Sequence, residues 1–330
     1  MAFTEKIYRD DDVSMDILKD QTVAIIGYGS QGTAQSNNLR DSGVNVIIGA
    51  GPKWRYPDWE KAENDGFEVY SVADAVKKAD IVHVLLQDPA QPGVYYESIH
   101  ENMREGQTLS FAHGFAVLYG TIQPRPDVDV ILFVPNGPGP VVRQKYLDGS
   151  GIYGAVSVDQ DYSGKAREKA LAIAKGVGST KPGTVYLSFQ KETEGDNFEE
   201  QVLYGGTIHL MRAIYEIMAE NGYPKSFAYA KAIRSIRSII DDIDEVGIEE
   251  YLTRRASRTC EFAVRTSGPR VINYDEIQKI FEETERGEFA RNWLVEFNHG
   301  MPVLNRLRRK WKDSDMEAVG KEWRTKFSQS

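Results

Sequence analysis

Short β-branched runs alternate with helical patterns along the first half of the chain, from Thr22 to about Leu187. This alternation is typical of a parallel sheet whose strands are joined by crossover helices. The predicted strands are Thr22–Ile26, Val44–Ile48, Ile81–Leu86, Thr108–Phe111, Val128–Val134, Gly154–Val158 and Thr184–Ser188. The helical patterns between them cover Gln31–Asp41, Pro57–Asn64, Val72–Lys78 and Gly164–Lys175.

The strand patterns stop near residue 189, and from there apolar residues recur at helical spacing. Gly222-Tyr223-Pro224 and Gly268-Pro269 are the main breaks between the helical patterns. The predicted helices are Asp196–Glu220, Ser226–Glu245, Ile248–Arg265, Tyr274–Glu285 and Glu288–Phe297. The change of pattern predicts two domains, an α/β domain over residues 1–184 and an all-helical domain over residues 185–330.

Composition and charge exclude several classes of protein. The 330 residues are 41% hydrophobic and 27% charged, as in an ordinary globular enzyme, and the net charge of −9 makes nucleic acid an unexpected partner. Cys260 is the single cysteine, which excludes an intrachain disulfide and suits a reducing compartment. The N-terminal residues lack an apolar signal core, and no stretch approaches the roughly 20 apolar residues of a membrane span. We therefore expect a cytoplasmic protein with no membrane partner.

A glycine-rich segment, Gly27-Tyr28-Gly29-Ser30-Gln31-Gly32, follows the first predicted strand and opens a helix. In this context the G-x-G-x-x-G pattern is typical of dinucleotide binding. The glycines allow a tight turn and let a pyrophosphate approach the amide groups at a helix N-terminus. The alternative is a glycine-rich turn that only packs the helix on the strand.

The end of the second strand bears on which dinucleotide is bound. No acidic residue ends this strand, where one usually holds the ribose hydroxyls of NAD. Lys53 and Arg55 follow and are able to bind a ribose 2′-phosphate, whereas Asp58 would repel it. These charges favour NADP(H) over NAD(H), although a solvated loop without a specific role is an equal alternative.

Two further segments follow strands at the edge where open α/β sheets bind ligands. His113 follows the fourth predicted strand, and Asn136-Gly137-Pro138-Gly139 follows the fifth. A structural histidine and a simple turn are the alternatives. In the helical half, Asp196 and Glu200 share one helix face and are able to hold a hard cation such as Mg²⁺, unless they are merely solvated.

These motifs, in this order, resemble the short-chain form of ketol-acid reductoisomerase over nearly the whole chain. The resemblance implies a Rossmann-type N-terminal domain, an all-α, knotted C-terminal domain and dimers formed through the latter. It also implies NAD(P)H and two Mg²⁺ ions, which serve an alkyl shift followed by reduction. The matching segments are the glycine-rich segment, Leu39-Arg40-Asp41-Ser42-Gly43, Ala112-His113-Gly114-Phe115, Gly137-Pro138-Gly139, Glu192-Thr193-Glu194 and Ser267-Gly268-Pro269-Arg270-Val271-Ile272.

The chain departs from the family pattern at three positions. The family's Pro-Lys-Gly-Pro-Gly carries a catalytic lysine, and this chain has Asn136 in its place. The family's second metal-binding segment supplies two glutamates four residues apart, and these positions correspond to Lys231 and Ser235. Because an ammonium repels a cation, the resemblance without these carboxylates implies at most one Mg²⁺.

The resemblance assigns roles to further residues. Asp196 and Glu200 match the family's first metal-binding segment and are the metal candidates, while Ser257, Ser235 and Glu261 are the substrate candidates. The catalytic candidates are His113, Lys231 and Asn136, with Lys231 replacing the missing cation. The cofactor candidates are Gly27, Tyr28, Gly29, Ser30, Gln31, Gly32, Lys53, Arg55, Asp58 and Gly139.

Three hypotheses of function follow. The first is an NAD(P)H-dependent oxidoreductase that reduces a small anionic keto or imino substrate without the alkyl shift, because the alkyl shift needs the two metals. The second is an authentic ketol-acid reductoisomerase of branched-chain amino-acid biosynthesis. The third is a non-catalytic, nucleotide-binding paralogue. In each case we expect a homodimer.

Overall fold

A computed structural model of the chain describes residues 3–53 and 57–327. These residues form two compact units that divide between Gly195 and Asp196. The division falls later than the boundary predicted after residue 184, because the helix Phe189–Glu199 begins in the first unit. Arg55, one of the predicted cofactor residues, lies outside the described residues.

The first unit is built on one nine-stranded sheet with the order β1-β9-β8-β7-β6-β5-β2-β3-β4. All the described neighbours pair in parallel except β1 with β9 and β7 with β8. The strands are β1 (Ile7–Tyr8), β2 (Thr22–Ile26), β3 (Asn45–Ala50), β4 (Glu68–Ser71), β5 (Ile81–Val84), β6 (Thr108–Phe111), β7 (Asp129–Pro135), β8 (Gly154–Gln160) and β9 (Thr184–Tyr186). The carboxyl ends of β2, β5, β6 and β7 therefore meet at one edge.

The central strands are apolar on both faces because helices cover both sides of the sheet. In β2, Val23 and Ile25 belong to one buried cluster, while Ala24 and Ile26 belong to the other. All four side chains are fully buried. The helices of this unit are α1 (Ser30–Asp41), α2 (Asp58–Asn64), α3 (Val72–Lys78), α4 (Gln91–Val94), α5 (Phe115–Leu118), α6 (Gly139–Leu147), α7 (Ala166–Val177) and the first part of α8 (Phe189–Glu199).

The regular secondary structure of the second unit is entirely helical within its described residues. Its helices after α8 are α9 (Gly205–Glu220), α10 (Lys225–Tyr229), α11 (Ser235–Val246), α12 (Ile248–Glu250), α13 (Arg258–Ser267), α14 (Tyr274–Glu285), α15 (Glu288–Asn298), α16 (Pro302–Lys312) and α17 (Asp315–Phe327). Three π-helical turns, Glu200–Tyr204, Ala230–Arg234 and Tyr251–Arg255, link consecutive helices. The fold class predicted from the sequence, an α/β domain followed by a helical one, is confirmed.

The three longest helices predicted from the sequence are interrupted in the structure. Asp196–Glu220 and Ser226–Glu245 each contain a π-helical turn. Ile248–Arg265 also breaks at Ala256 and Ser257, which are extended with ψ near 153° and 154°. Apolar residues recur on both sides of a π-helical turn at nearly the spacing of an α-helix. The periodicity used to predict the helices therefore did not indicate these interruptions.

Seven of the labelled elements have no counterpart in the sequence prediction, including the four-residue helices α4 and α5. Strands β1 and β4 are short, and β4 has no buried residue. Helix α6 has a weakly amphipathic sequence that begins with Gly139-Pro140, and α16 and α17 are rich in charged residues. Within residues 3–53 and 57–327, none of the helices combines the length and apolar composition that a membrane crossing needs.

The core of the sheet contains one buried histidine. His83, on β5, is fully buried between Ser110 on β6 and Gln35 on α1, with hydrogen-bonding distances of 2.8 Å from Nδ1 to Ser110 Oγ and 2.9 Å from Nε2 to Gln35 Oε1. Loss of hydration on burial lowers the pKa of His83 to about 4. The imidazole is therefore neutral at neutral pH.

This depressed pKa predicts a loss of stability in mild acid. Between pH 6.5 and 4 the unfolded chain binds a proton at His83 that the folded chain does not, so the free energy of unfolding falls as the pH falls. From pH 7 to pH 5 we expect the wild type to lose about 2 kcal/mol more than His83→Gln, whose side chain does not titrate.

Urea unfolding of both proteins at the two pH values measures this difference. The comparison concerns the pH dependence alone, so a lower stability of the variant at both pH values does not affect it. Equal losses in the two proteins would show that His83 does not change its protonation on unfolding.

Candidate functional site

The glycine-rich segment forms the turn between β2 and α1, and two of its glycines are required by the backbone. Gly27 has a φ of 97°, and a Cβ there would lie 2.7 Å from Leu86 Cδ2. A Cβ on Gly32 would overlap the carbonyl oxygen of Gly27. By contrast, nothing lies within 4 Å of the Cβ position of Gly29. The turn is therefore tight on its inner side and open where a ligand would approach.

The N-terminus of α1 suits an anion. Gly29 is its N-cap, no side chain caps it, and its first turn carries no acidic residue. The backbone N–H groups that a helix leaves unsatisfied at this end are available to a pyrophosphate. Gly139, at the start of α6, lies so close to Ser30 that a Cβ would overlap the Ser30 carbonyl. The residues at this turn fit a dinucleotide, with Gly139 as the second wall.

The charges at the end of β3 differ from the expected pair of free cations. Lys53 Nζ lies 2.7 Å from Glu63 Oε2, and this hydrogen bond raises the pKa of Lys53 and lowers that of Glu63. Asp58 is half-buried against the glycine-rich turn, where Oδ2 accepts a hydrogen bond from Tyr28 N at 3.4 Å. The positive charge of Lys53 is therefore largely balanced, and a carboxylate stands beside the turn.

The sequence analysis missed a second cation in this region. Lys61 Nζ donates to Thr33 Oγ1 at 2.7 Å and lies 5.4 Å from the centre of the Tyr28 ring. Thr33 belongs to the first turns of α1, so Lys61 holds a positive charge beside the predicted pyrophosphate site. In the sequence, only its spacing of three residues from Asp58, which places the two side chains on one face of α2, indicated that Lys61 lies near this site.

His113 lies in the turn after β6 and is held by a carboxylate. Its Nδ1 is 2.9 Å from Asp88 Oδ2, and the other oxygen of Asp88 accepts from Gln91 Nε2 at 3.2 Å. The next residue, Gly114, packs against Phe189, with 2.5 Å between its Cβ position and Phe189 Cε1. The sequence analysis missed Asp88 and Gln91, although Asp88 follows β5 at the same edge of the sheet. Together these contacts fix the plane of the His113 ring.

Asn136 ends up at this same edge, just after β7. Its backbone N–H donates to Tyr153 O at 2.8 Å. Among the described residues, its exposed side-chain amide has no hydrogen-bond partner. The structure therefore brings the glycine-rich turn, His113 and Asn136 to one edge, as predicted.

The other predicted residues lie in the second unit. Asp196 is half-buried near the end of α8, and Glu200 is exposed at the start of a π-helical turn. Lys231 Nζ lies 5.3 Å from the centre of the Phe227 ring, and no carboxylate of the described residues is within ion-pair distance of it. Ser235 begins α11. Within the described part of the chain, no three His, Cys, Asp or Glu side chains form a group that could hold a metal ion.

Ser257 and Glu261 both have structural partners. Ser257 is the N-cap of α13, and its Oγ accepts from Cys260 N at 3.1 Å. Glu261 accepts hydrogen bonds from Arg258 at 2.7 Å and Arg265 at 3.2 Å, and the first of these is the main reason why the pKa of Glu261 is lowered. Ser257 therefore serves as a helix cap, and the charge of Glu261 is balanced by arginines. Among the described residues of this unit, the donor side chains do not fit a two-metal centre.

Comparisons with known proteins identify both halves of the chain. Residues 17–183 match the acetohydroxy acid isomeroreductase NADPH-binding domain, and residues 189–329 match the ketol-acid reductoisomerase C-terminal domain. A ketol-acid reductoisomerase (NADP(+)) of Methanopyrus kandleri is 44% identical over 320 residues, covering 97% of each chain. One of Pyrococcus abyssi is 46% identical over 325 residues, again covering 97% of each.

Among solved structures, an NADH-preferring ketol-acid reductoisomerase from an uncultured archaeon superposes with a TM-score of 0.95 at 40% identity. The match covers 98% of this chain and 100% of that one. The two curated relatives are named for NADP(+), and the solved structure is named for NADH.

The charges around α2 predict how cofactor preference responds to mutation. Only NADPH carries the 2′-phosphate, so Asp58→Asn should strengthen NADPH binding and Lys61→Gln should weaken it, each by roughly two- to fivefold, as exposed charge pairs do. NADH affinity should change little in Asp58→Asn. In Lys61→Gln it should fall less than NADPH affinity, because both cofactors carry the pyrophosphate beside Lys61 and only NADPH carries the 2′-phosphate. Fluorescence titration with both reduced cofactors measures these affinities.

Added salt is the control, since it should shrink both effects by screening. Equal changes for NADPH and NADH would mean that these charges do not face the 2′-phosphate.

Proposed function

Because this chain belongs to the ketol-acid reductoisomerase family, we propose that it is an NAD(P)H-dependent oxidoreductase that reduces a small anionic keto or imino acid without the family's alkyl shift. Membership in the family shows that the chain is an oxidoreductase. The proposal is that it reduces its substrate without the alkyl shift. The observation that carries it is Lys231 and Ser235 at the positions where the resemblance expects two metal-binding glutamates.

The cofactor end of the proposed reaction is supported by the first unit. The N-terminus of α1 would bind the pyrophosphate, and the turn Gly27–Gly32 would let it approach the backbone. The nicotinamide would supply the hydride. Gly139 closes the turn from the other side, which would help to exclude water from the cofactor.

His113 is the proposed source of the proton. Reduction of a carbonyl or imine needs a proton at the oxygen or nitrogen that becomes negative as hydride arrives. Asp88 orients the imidazole through Nδ1 and would stabilise its protonated form. Asn136, whose amide is exposed at the same edge, would donate a hydrogen bond to the substrate.

Lys231 is the proposed binding residue for the anionic group of the substrate. Its ammonium contacts the face of an aromatic ring and has no ion-pair partner among the described residues, so its charge is not already balanced. The alkyl shift, in contrast, needs two metal ions to polarise adjacent oxygens. Asp196 and Glu200 would contribute to one Mg²⁺ at most, and no step of this proposal passes through it.

An authentic ketol-acid reductoisomerase is the second candidate, and the names of the relatives favour it over reduction alone. Both curated relatives described above carry that name at 44% and 46% identity over nearly their whole lengths. In that case Asn136, Lys231 and Ser235 would have to be compatible with the alkyl shift.

One assay separates these candidates. It follows NAD(P)H absorbance with 2-acetolactate, with the rearranged product 3-hydroxy-3-methyl-2-oxobutanoate, and with a panel of other keto and imino acids, each across a Mg²⁺ series. We expect negligible turnover of 2-acetolactate at every Mg²⁺ concentration and reduction of the rearranged compound or a panel member. Robust Mg²⁺-dependent turnover of 2-acetolactate would establish the second candidate instead.

Variants of Lys231 extend the assay to the binding role. Lys231→Met should lower kcat/KM for the reduced substrate at least tenfold, about 1.4 kcal/mol, mainly through KM. Lys231→Arg is the matched control and should retain most of the activity, because it keeps the charge. Unchanged kinetics in Lys231→Met would remove this residue from the site.

We propose a homodimer that forms through the helical unit and resides in a reducing compartment such as the cytoplasm. Few apolar side chains of this unit are buried, and large ones remain exposed, among them Leu203, Ile217, Ile240 and Phe262. Apolar patches on a protein surface usually mark an interaction site, and we propose that these side chains form the interface between two copies of the chain. Light scattering at micromolar concentration should therefore give at least twice the chain mass of 37.2 kDa. A monomer at that concentration would refute this assembly.

A further inference from the structure

A chain of buried polar side chains runs from the interior of the sheet to the loop after β7. Ser110, His83 and Gln35 are fully buried, and Gln31 is half-buried at the start of α1. The distances are 2.8 Å from Ser110 to His83, 2.9 Å from His83 to Gln35, 3.1 Å from Gln35 to Gln31 and 2.9 Å from Gln31 to the carbonyl oxygen of Gly137. We refer to these four side chains as the polar relay.

One backbone group sets the direction of every hydrogen bond in the polar relay. The Gly137 carbonyl can only accept, so Gln31 must point its amide nitrogen toward it and its Oε1 toward Gln35. Gln35 then donates to Gln31 and turns its own Oε1 toward His83. His83 must therefore carry its proton on Nε2, which leaves Nδ1 to accept from the Ser110 hydroxyl. A single tautomer of His83 satisfies the whole chain.

The polar relay stands among apolar neighbours. Ile81, two residues before His83 on the same face of β5, and Ile25, its register partner on β2, are fully buried in the core on that side of the sheet. Burying a polar side chain costs stability unless it is fully hydrogen-bonded, and an apolar residue at these positions would avoid the cost. Each side chain of the polar relay has only one orientation that satisfies its hydrogen bonds. The relay therefore holds the loop at its end in one position.

The loop at its end borders the cofactor turn. Gly137 precedes Pro138 and Gly139, and Gly139 is in close contact with Ser30 of the glycine-rich segment. Gln31 belongs to that segment itself. The position of the Gly137 carbonyl thus affects both walls of the turn that would receive the pyrophosphate.

We propose that His83 and Gln35 are positioning residues for the nicotinamide cofactor, which act by orienting Gln31 and thereby holding residues 136–139 against the glycine-rich turn. This inference rests on the proposed use of NAD(P)H and assigns a role to groups that the reaction itself does not need. Because His83 stays neutral well below neutral pH, the polar relay keeps the same hydrogen bonds over the ordinary working range.

Two variants of His83 separate positioning from simple loss of core packing. In His83→Gln the side-chain amide reaches the Nε2 position and is able to donate to Gln35, so the relay to Gly137 is kept. In His83→Asn the shorter amide replaces Nδ1, contacts Ser110 and leaves Gln35 without its donor. Both variants remove the imidazole, so both should lower the stability of the protein.

The test measures NADPH and NADH affinity of the full chain by fluorescence titration, with no turnover required. We expect His83→Asn to weaken cofactor binding about tenfold and His83→Gln to stay within about threefold of the wild type. Hydrogen exchange of the segment after β7 should accelerate in His83→Asn and not in His83→Gln. Equal effects of the two variants, or no effect of either, would overturn the inference.

Two further outcomes need controls: a His83→Asn variant that does not fold, and a wild-type chain that binds neither cofactor. If His83→Asn does not fold, Gln35→Met is the second variant, because it removes the link between His83 and Gln31 and should also weaken cofactor binding about tenfold. Its matched control is Ser110→Ala, which keeps the His83 donor to Gln35 and should bind cofactor like the wild type. Wild-type affinity in Gln35→Met overturns the inference. A wild-type chain that binds neither NADPH nor NADH overturns the proposed function and the inference with it, whereas normal wild-type binding with unaffected variants overturns the inference alone.

Discussion

The structure depends on one steric constraint, the close approach of backbone to backbone around the glycine-rich turn. A Cβ on Gly32 would overlap Gly27, and a Cβ on Gly139 would overlap Ser30. Because these side chains are absent, α1 begins directly beneath the end of β2 and α6 begins directly beside it. These two contacts position the N-terminal amide groups of α1 and the loop after β7. They thereby also position the polar relay, which joins α1 to that loop.

The helical unit retains the family scaffold and departs from it in charge. Ser257 caps α13, and Glu261 pairs with two arginines, so both residues also have structural roles. Lys231, at a position where the resemblance expects a glutamate, lies in a π-helical turn, an element often found at functional sites. High identity along the chain is compatible with altered residues at a few positions. Many residues maintain the fold, whereas only a few side chains bind a metal.

The sequence predicted the elements whose pattern is local. The bounds of β2 and β6 and of α3 and α14 agree with the structure, because each combines a clear apolar period with a clear stop. The cofactor turn was predicted for the same reason. By contrast, Lys53 with Glu63, Lys61 with Thr33 and Asp88 with His113 are pairs between residues far apart in the sequence, and only the packing of α2 and the strand ends brings them together. The π-helical turns were missed because one extra residue in a turn leaves the apolar pattern almost unchanged.

We propose that this chain retains the cofactor turn of the family and cannot build its two-metal centre. The most direct measurement is the number of Mn²⁺ ions bound per chain, determined by electron paramagnetic resonance with saturating NADPH and an unreactive 2-oxo acid present. Mn²⁺ prefers the same oxygen ligands as Mg²⁺ and reports its own binding. We expect no more than one ion per chain. Two ions per chain, lost in Asp196→Asn, would contradict it.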